Sequence, residues 1–207
     1  MTDTGTTRER LIESARDLVR RRGFDRTSVS DVLEHSGVGK GSFFHYFSSK
    51  EGLGLAVLER DRVEFLAMLD ESLGWGGSAL ERLDCFLDAA LQLHRGTGFV
   101  GGCLWGNTAL EMSDSNSVFA DVVAKVFDEW TDRVATVIGE GQVSGEMRAD
   151  CSAATLARSV VATIEGGIML SRLQKDEAPL KGCLDMARLL LTGETRGGGG
   201  GGAMSDE

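Results

Sequence analysis

Three side chains in the middle of the chain have the types and spacing to do chemistry. Cys103, Asn107 and Glu111 follow one another at intervals of four. On a helix that spacing puts a thiol, a carboxamide and a carboxylate on one face. Gly101 and Gly102 precede Cys103, so the cysteine opens a short helix over 103–112. The positive end of a helix dipole lowers a thiol pKa and favours the reactive thiolate. Trp105 and apolar residues surround these groups, as around a cavity carrying a few placed hydrogen-bonding groups. The competing reading is a buried cysteine whose neighbours satisfy nearby backbone. A thiol enzyme would use Cys103 as nucleophile and His94 or Glu111 as base, but no Asn or Asp can be placed to orient the base. The four cysteines form no CxxC pair and the three histidines lack metal-ligand spacing, so no metal or cofactor is expected.

A second set of residues suits a different task. Between Thr27 and Glu51 the chain reads TSVSDVLEHSGVGKGSFFHYFSSKE. Ser28 and Asp31 have capping-box spacing, and Gly37 stops the helix they begin. Lys40 to Phe47 forms the next helix, with Phe43 and Phe47 on its inner face. Ser48 and Glu51 have the spacing to cap a third. Two short helices around a tight glycine turn form a helix-turn-helix, whose second helix enters a DNA major groove. Lys40 and Lys50 could neutralise phosphates, and Ser42, His45 and Tyr46 could bond phosphate or base edges. Gly41 allows close approach to a duplex, and Thr27 and Ser28 flank the entry to the motif. A plain helical hairpin with a solvated polar face fits the spacing as well.

The elements that must position these groups are helical throughout. A single proline, 42% hydrophobic residues and few alternating runs indicate an all-α chain of about nine helices. Thr6 and Glu9 can box the first helix, which carries Leu11, Ile12, Ala15, Leu18 and Val19 as its apolar stripe and ends in Arg20–Arg22. A long helix runs from Lys50 to about Leu73. Further helices are expected over 79–94, 103–112, 117–138, 152–173 and from Pro179 to Gly193, with 139–150 as a turn region. The expected division is a three-helix DNA-binding domain over 1–50, a helical effector-binding and dimerisation domain over 51–193, and a disordered Gly-rich tail over 194–207, with 1–5 a loose arm.

The net charge of −10 is unevenly placed. Residues 1–60 hold ten basic and nine acidic groups, whereas the rest hold twelve and twenty-three. The acidity therefore lies outside the helix-turn-helix, and local charge governs DNA affinity. No leader and no bilayer-spanning apolar run is apparent, which reads as a soluble cytoplasmic protein with reduced thiols.

SVSDVLEHSGVGKGSFFHYFSSKEGL, with RGF at Arg22–Phe24 before it, resembles the N-terminal signature of the TetR family of transcriptional regulators. The resemblance implies a repressor that binds a palindromic operator as a homodimer, paired through its last two helices, and responds to a small-molecule effector through the helix from Lys50. Phe44 stands where many relatives carry Tyr, which removes a hydroxyl; a helical interaction module that has lost DNA binding is the alternative this leaves. GGCLWGNTALEMSD, with Glu165–Ile168 and Arg172, is similar to a branch of the family that senses electrophiles or acrylate. That similarity makes Cys103, Trp105, Asn107, Glu111, Trp130 and Arg172 the candidate sensing residues. Arg172 keeps its charge, so it suits an anionic ligand better than it suits tuning a thiol.

Overall fold

The computed structural model describes residues 6–193; the expected arm at 1–5 and tail at 194–207 lie outside them. Nine α-helices make up the described chain, with no strand among the described residues. They are α1 (Thr7–Arg22), α2 (Val29–Ser36), α3 (Lys40–Tyr46), α4 (Lys50–Leu73), α5 (Ala79–Gly96), α6 (Leu104–Met112), α7 (Ser117–Ser144), α8 (Ala153–Gln174) and α9 (Ala178–Thr192).

Local sequence explains most of these boundaries. Thr6 with Glu9 and Ser28 with Asp31 form complete capping boxes at α1 and α2. Gly37 closes α2 in the left-handed conformation (φ 65°), which glycine adopts without a Cβ penalty. Two boundaries depart from the sequence reading. Ser49, not Ser48, caps α4 by accepting from the Gly52 N–H, and Glu51 instead accepts from the Asn116 side chain at 2.9 Å. The helix expected to end at Ile138 runs on to Ser144. Gly139 and Gly141 sit inside it, and Gly141 leaves room for the Met147 side chain to pack against the helix. Gly141 is thus a packing residue, and the stop falls instead at Gly145, which adopts the left-handed conformation (φ 80°).

The apolar residues gather in two clusters. One joins α1–α3 to the first half of α4 and reaches Leu104, Trp105, Met112, Phe119, Val123 and Val126. The other joins the end of α4 to α5, the second half of α7, α8 and α9. The α4 helix belongs to both, contributing Leu53, Val57 and Leu58 to the first and Leu69 and Leu73 to the second. At about 1.5 Å per residue its 24 residues extend some 36 Å.

One composition-based expectation needs correcting. The α8 helix, 22 residues with a mean hydropathy of 1.3 in its most apolar window, is long and apolar enough to cross a bilayer. Its apolarity is used on two sides. Leu156, Val160, Ile164 and Ile168 are buried in the core, while Met169, Leu170 and Leu173 are exposed. Met186 and Leu189 of α9 are exposed as well.

Candidate DNA interface and effector cavity

In α3 the side chains divide as the spacing requires. Phe43 is fully buried and Phe47, just past the helix end, is also core. Lys40, Gly41, Ser42, Phe44, His45 and Tyr46 are exposed. The imidazole of His45 meets the Tyr46 ring edge-on at 4.8 Å, so the two form one aromatic surface. Three other candidates are differently engaged. Thr27 is buried and its hydroxyl donates to the Gly23 carbonyl at 2.7 Å, which leaves its side chain a structural role. Ser28 is exposed, but its oxygen caps α2 and donates to Asp31. The Lys50 ammonium lies 4.3 Å from the centre of the Phe24 ring and reaches the Asp25 carbonyl at 3.4 Å.

The six candidate sensing residues do not share one site. Cys103, Trp105 and Trp130 line a cavity of about 170 Å³ enclosed by α1, α4, α5, α6, α7 and α8. Phe65, Met68, Phe86, Ile164 and Ile168 supply much of its apolar wall. Asn107 and Arg172 lie beside it, where with Cys103 and Glu165 they line an adjoining pocket: Arg172 Nη1 donates to Asn107 Oδ1 at 2.6 Å, and Asn107 Nδ2 donates to the Gly101 carbonyl. Glu111 lies further away, where its carboxylate accepts from the backbone N–H groups of Phe24 and Asp25, both at 2.8 Å. That position removes Glu111 as a base for Cys103, while leaving it on the rim of a separate pocket with Asn107, Arg172 and Arg20. Spacing placed all three on one face, but the first turn of the helix meets α8 while its last turn meets the connection between α1 and α2.

The surroundings of the thiol bear on its two readings. Cys103 caps α6, with its sulfur accepting from the Gly106 N–H at 3.4 Å. Burial, followed by the charge of Glu165, pushes the thiol well above its ordinary pKa and outweighs the helix end. A Cβ at position 106 would collide with Oε2 of Glu165, so glycine there lets that carboxylate lie against the first turn. Burial likewise raises the Glu165 pKa. Iodoacetamide at pH 7.5 is therefore expected to label the exposed Cys85 at least about ten times faster than Cys103, measured by peptide mass spectrometry. Equal rates would contradict this account.

Several residues of the cavity were not singled out from sequence as sensing groups. Arg16 reaches across from α1 to bond Asp61 (Nε at 2.9 Å) and Glu64 (2.8 Å) on α4. Arg20, expected at a basic helix end, instead donates to the Gly102 carbonyl at 3.3 Å and also lines the cavity. His94 is 6% exposed, and burial, then Arg20, lowers its pKa to about 4. These residues sit on three helices far apart in the chain, and periodicity alone does not say which polar groups turn inward.

Comparison with known proteins settles what scaffold this is. Residues 11–57 match bacterial regulatory proteins of the tetR family, and residues 79–186 match the tetracyclin repressor-like C-terminal domain. The chain belongs to the TetR family. It is 32% identical over 179 residues to the transcriptional regulator AcuR of Cereibacter sphaeroides, covering 86% of this chain and 82% of that one. It is 29% identical over 181 residues to the HTH-type transcriptional repressor DhaR of a Mycobacterium species, covering 84% and 86% respectively. A crystal structure of a regulatory protein TetR from Rhodobacter sphaeroides superposes with a TM-score of 0.86 at 29% identity, covering 91% of this chain and all of that one. TetR-family proteins are soluble DNA-binding transcription regulators, not enzymes, and the α2–α3 pair is the family's helix-turn-helix.

Proposed function

We propose that this TetR-family protein is a cytoplasmic repressor that binds a palindromic operator as a homodimer and is released when a small molecule enters the cavity around Cys103. The domain division at residue 50 belongs to this reading, with α4 as the shared element. The observation that carries it is the make-up of the cavity wall. Arg16 and Arg20 come from α1 of the DNA-reading end, and Asp61, Glu64, Phe65 and Met68 come from α4. A ligand that spreads this wall moves α1 against α4, and the two recognition helices move with them. Half-sites one helical turn apart tolerate little change in that separation. The raised pKa of Cys103 favours reversible capture over thiol modification.

The exposed apolar side chains Met169, Leu170 and Leu173 of α8 and Met186 and Leu189 of α9 support pairing with a second copy, since exposed apolar surface is what an interface between copies would cover. Light scattering at micromolar concentration is expected to give twice the chain mass. A monomer would contradict the dimer.

Genomic fragments retained by the protein would supply the operator. On that DNA, Lys40→Ala is expected to weaken binding and flatten its salt dependence. Each lost phosphate contact lowers the slope by about 0.9, hence roughly 1.8 for a dimer. Lys50→Ala is expected to change the slope less, because its ammonium is already held over Phe24. An unchanged slope in Lys40→Ala would refute the phosphate contact.

A further inference from the structure

The end of α1 meets the body of the protein across an open groove of about 390 Å³. Arg20, Arg21, Arg22 and Arg26 line it from the head, and Arg172 of α8 lines it from the body. Glu111 is the one carboxylate among the described residues of its wall, and both its oxygens are taken by the Phe24 and Asp25 N–H groups. Arg21 pairs with Asp17 and Arg22 with Asp31, each at 2.9 Å. The other three guanidiniums have no carboxylate partner in the groove. Arg20 Nη2 donates to the Gly102 carbonyl at 3.3 Å, and Arg172 Nη1 donates to the Asn107 carboxamide oxygen at 2.6 Å. The Arg26 side chain is exposed and bonds no other described residue.

The connection between α5 and α6 brings two of these charges together. Gly101 and Gly102 both hold positive φ (86° and 67°). A Cβ on Gly102 would lie 3.0 Å from Cδ of Arg172, and one on Gly101 would lie 3.4 Å from Cβ of Arg20. Glycine at these two positions therefore lets arginines from α1 and α8 lie against one stretch of backbone. Asn107 Nδ2 donates to the Gly101 carbonyl, so one carboxamide ties this stretch to Arg172. Like charges held by neutral acceptors repel each other, and an anion between them removes the repulsion.

The adjoining spaces do not cancel this excess. Asp61 and Glu64, in the cavity that Arg20 also lines, are bonded by Arg16, and Glu64 by Arg60 as well. Glu165 lines the pocket that Arg172 shares with Cys103, but its carboxyl lies against Gly106 and outside the groove. A carboxylate would bring one charge and two oxygens to three guanidiniums. A phosphate monoester brings nearly two charges and three oxygens, and the planar fork of arginine fits phosphate. The groove is larger than a phosphate group alone fills. Leu110, 83% exposed, lies on its wall and can meet an apolar remainder.

We infer that this groove binds the phosphate monoester of a small organic molecule, held by Arg20, Arg26 and Arg172, which bridges the DNA-reading head and the body. The site is separate from the cavity around Cys103 and does not rest on its being the effector cavity. A DNA backbone phosphate has related chemistry. It brings a single charge, however, and α2 and α3 contribute nothing to the groove, whereas Asn107, Leu110 and Arg172 of the body do.

Calorimetric titration of the full chain with phenyl phosphate, benzoate, inorganic phosphate and phenol tests the inference. Phenyl phosphate is expected to saturate below millimolar concentration and to bind at least about tenfold tighter than the other three, which lack its second charge, its ring or its phosphate. Arg26→Gln and Arg172→Gln are each expected to weaken it at least about fivefold, and Arg21→Gln, whose charge is already paired, less than about twofold. Arg26→Gln breaks no bond to a described residue, so it carries the test even if Arg172→Gln disturbs the Gly101–Gly102 stretch. Equal or tighter binding of any other probe would overturn the inference. So would unchanged affinity in Arg26→Gln, or no saturation at millimolar concentration. No DNA enters the titration. On operator DNA without ligand, both variants are expected to keep the wild-type salt dependence. A slope lowered by about 0.9 per subunit would show that these arginines grip the DNA backbone instead, and would overturn the inference.

Discussion

Glu111→Ala is expected to lower the unfolding free energy by about 2 kcal/mol and to weaken operator binding at least about tenfold. Phe24 and Asp25 lie between the end of α1 and the start of α2, where no helix supplies partners for their N–H groups. One carboxylate from α6 takes both at 2.8 Å. Hydrogen bonds to a charged acceptor contribute about 1.5–3 kcal/mol each, and partial exposure of the Asp25 bond reduces the pair toward the lower figure. The same contact positions the head. The connection it grips carries Phe24, which packs against Phe119 of α7 at 4.8 Å and lies under the Lys50 ammonium. Loosening it lets α2 and α3 shift relative to α4. Glu111→Gln keeps one acceptor and should fall about midway in stability. Urea denaturation gives the first effect and fluorescence anisotropy with operator DNA the second. A change in Glu111→Ala below about 0.5 kcal/mol, with unaltered DNA affinity, would show that the junction is held elsewhere.

The helices were legible from sequence because caps, stripes and breakers act locally. The boxes at Thr6 and Ser28, the stripe of Val123, Val126, Trp130 and Val134, and the face of Phe43 were all readable from spacing. What stayed illegible depended on partners distant in sequence. Gly141 looked like a turn until Met147 packed against it. Glu111 looked like a member of the Cys103 face because i+8 returns to the same side of a helix. A helix of nine residues nevertheless meets two different neighbours along its length. Local sequence left two readings of Cys103 open for the same reason. The helix end acts from within the local sequence, whereas the opposing charge of Glu165 comes from a helix some sixty residues on and lies close to the thiol only because position 106 lacks a Cβ.

His94→Gln is expected to remove a pH dependence of stability that the wild-type protein carries. In the folded chain burial and then Arg20 hold the His94 pKa at about 4, against 6.5 for the free side chain. Between those values the unfolded chain binds a proton that the folded chain refuses. Unfolding takes up that proton, so stability falls as pH drops through 6.5 and continues to fall until about pH 4. At 1.36 kcal/mol per pKa unit the whole span is about 3 kcal/mol, of which about 2 kcal/mol is lost by pH 5. Carboxylates titrate over part of this range, so the informative quantity is the stability difference between His94→Gln and wild type, compared at pH 8 and pH 5. That difference should move by about 2 kcal/mol in favour of the variant as pH falls. A constant difference would mean that His94 accepts its proton in the folded state as readily as in water. The direction bears on the ligand as well. A neutral imidazole adds no positive charge to a wall where Arg16 is already paired with Asp61 and Glu64. A protonated one would supply positive charge that an anionic ligand needs.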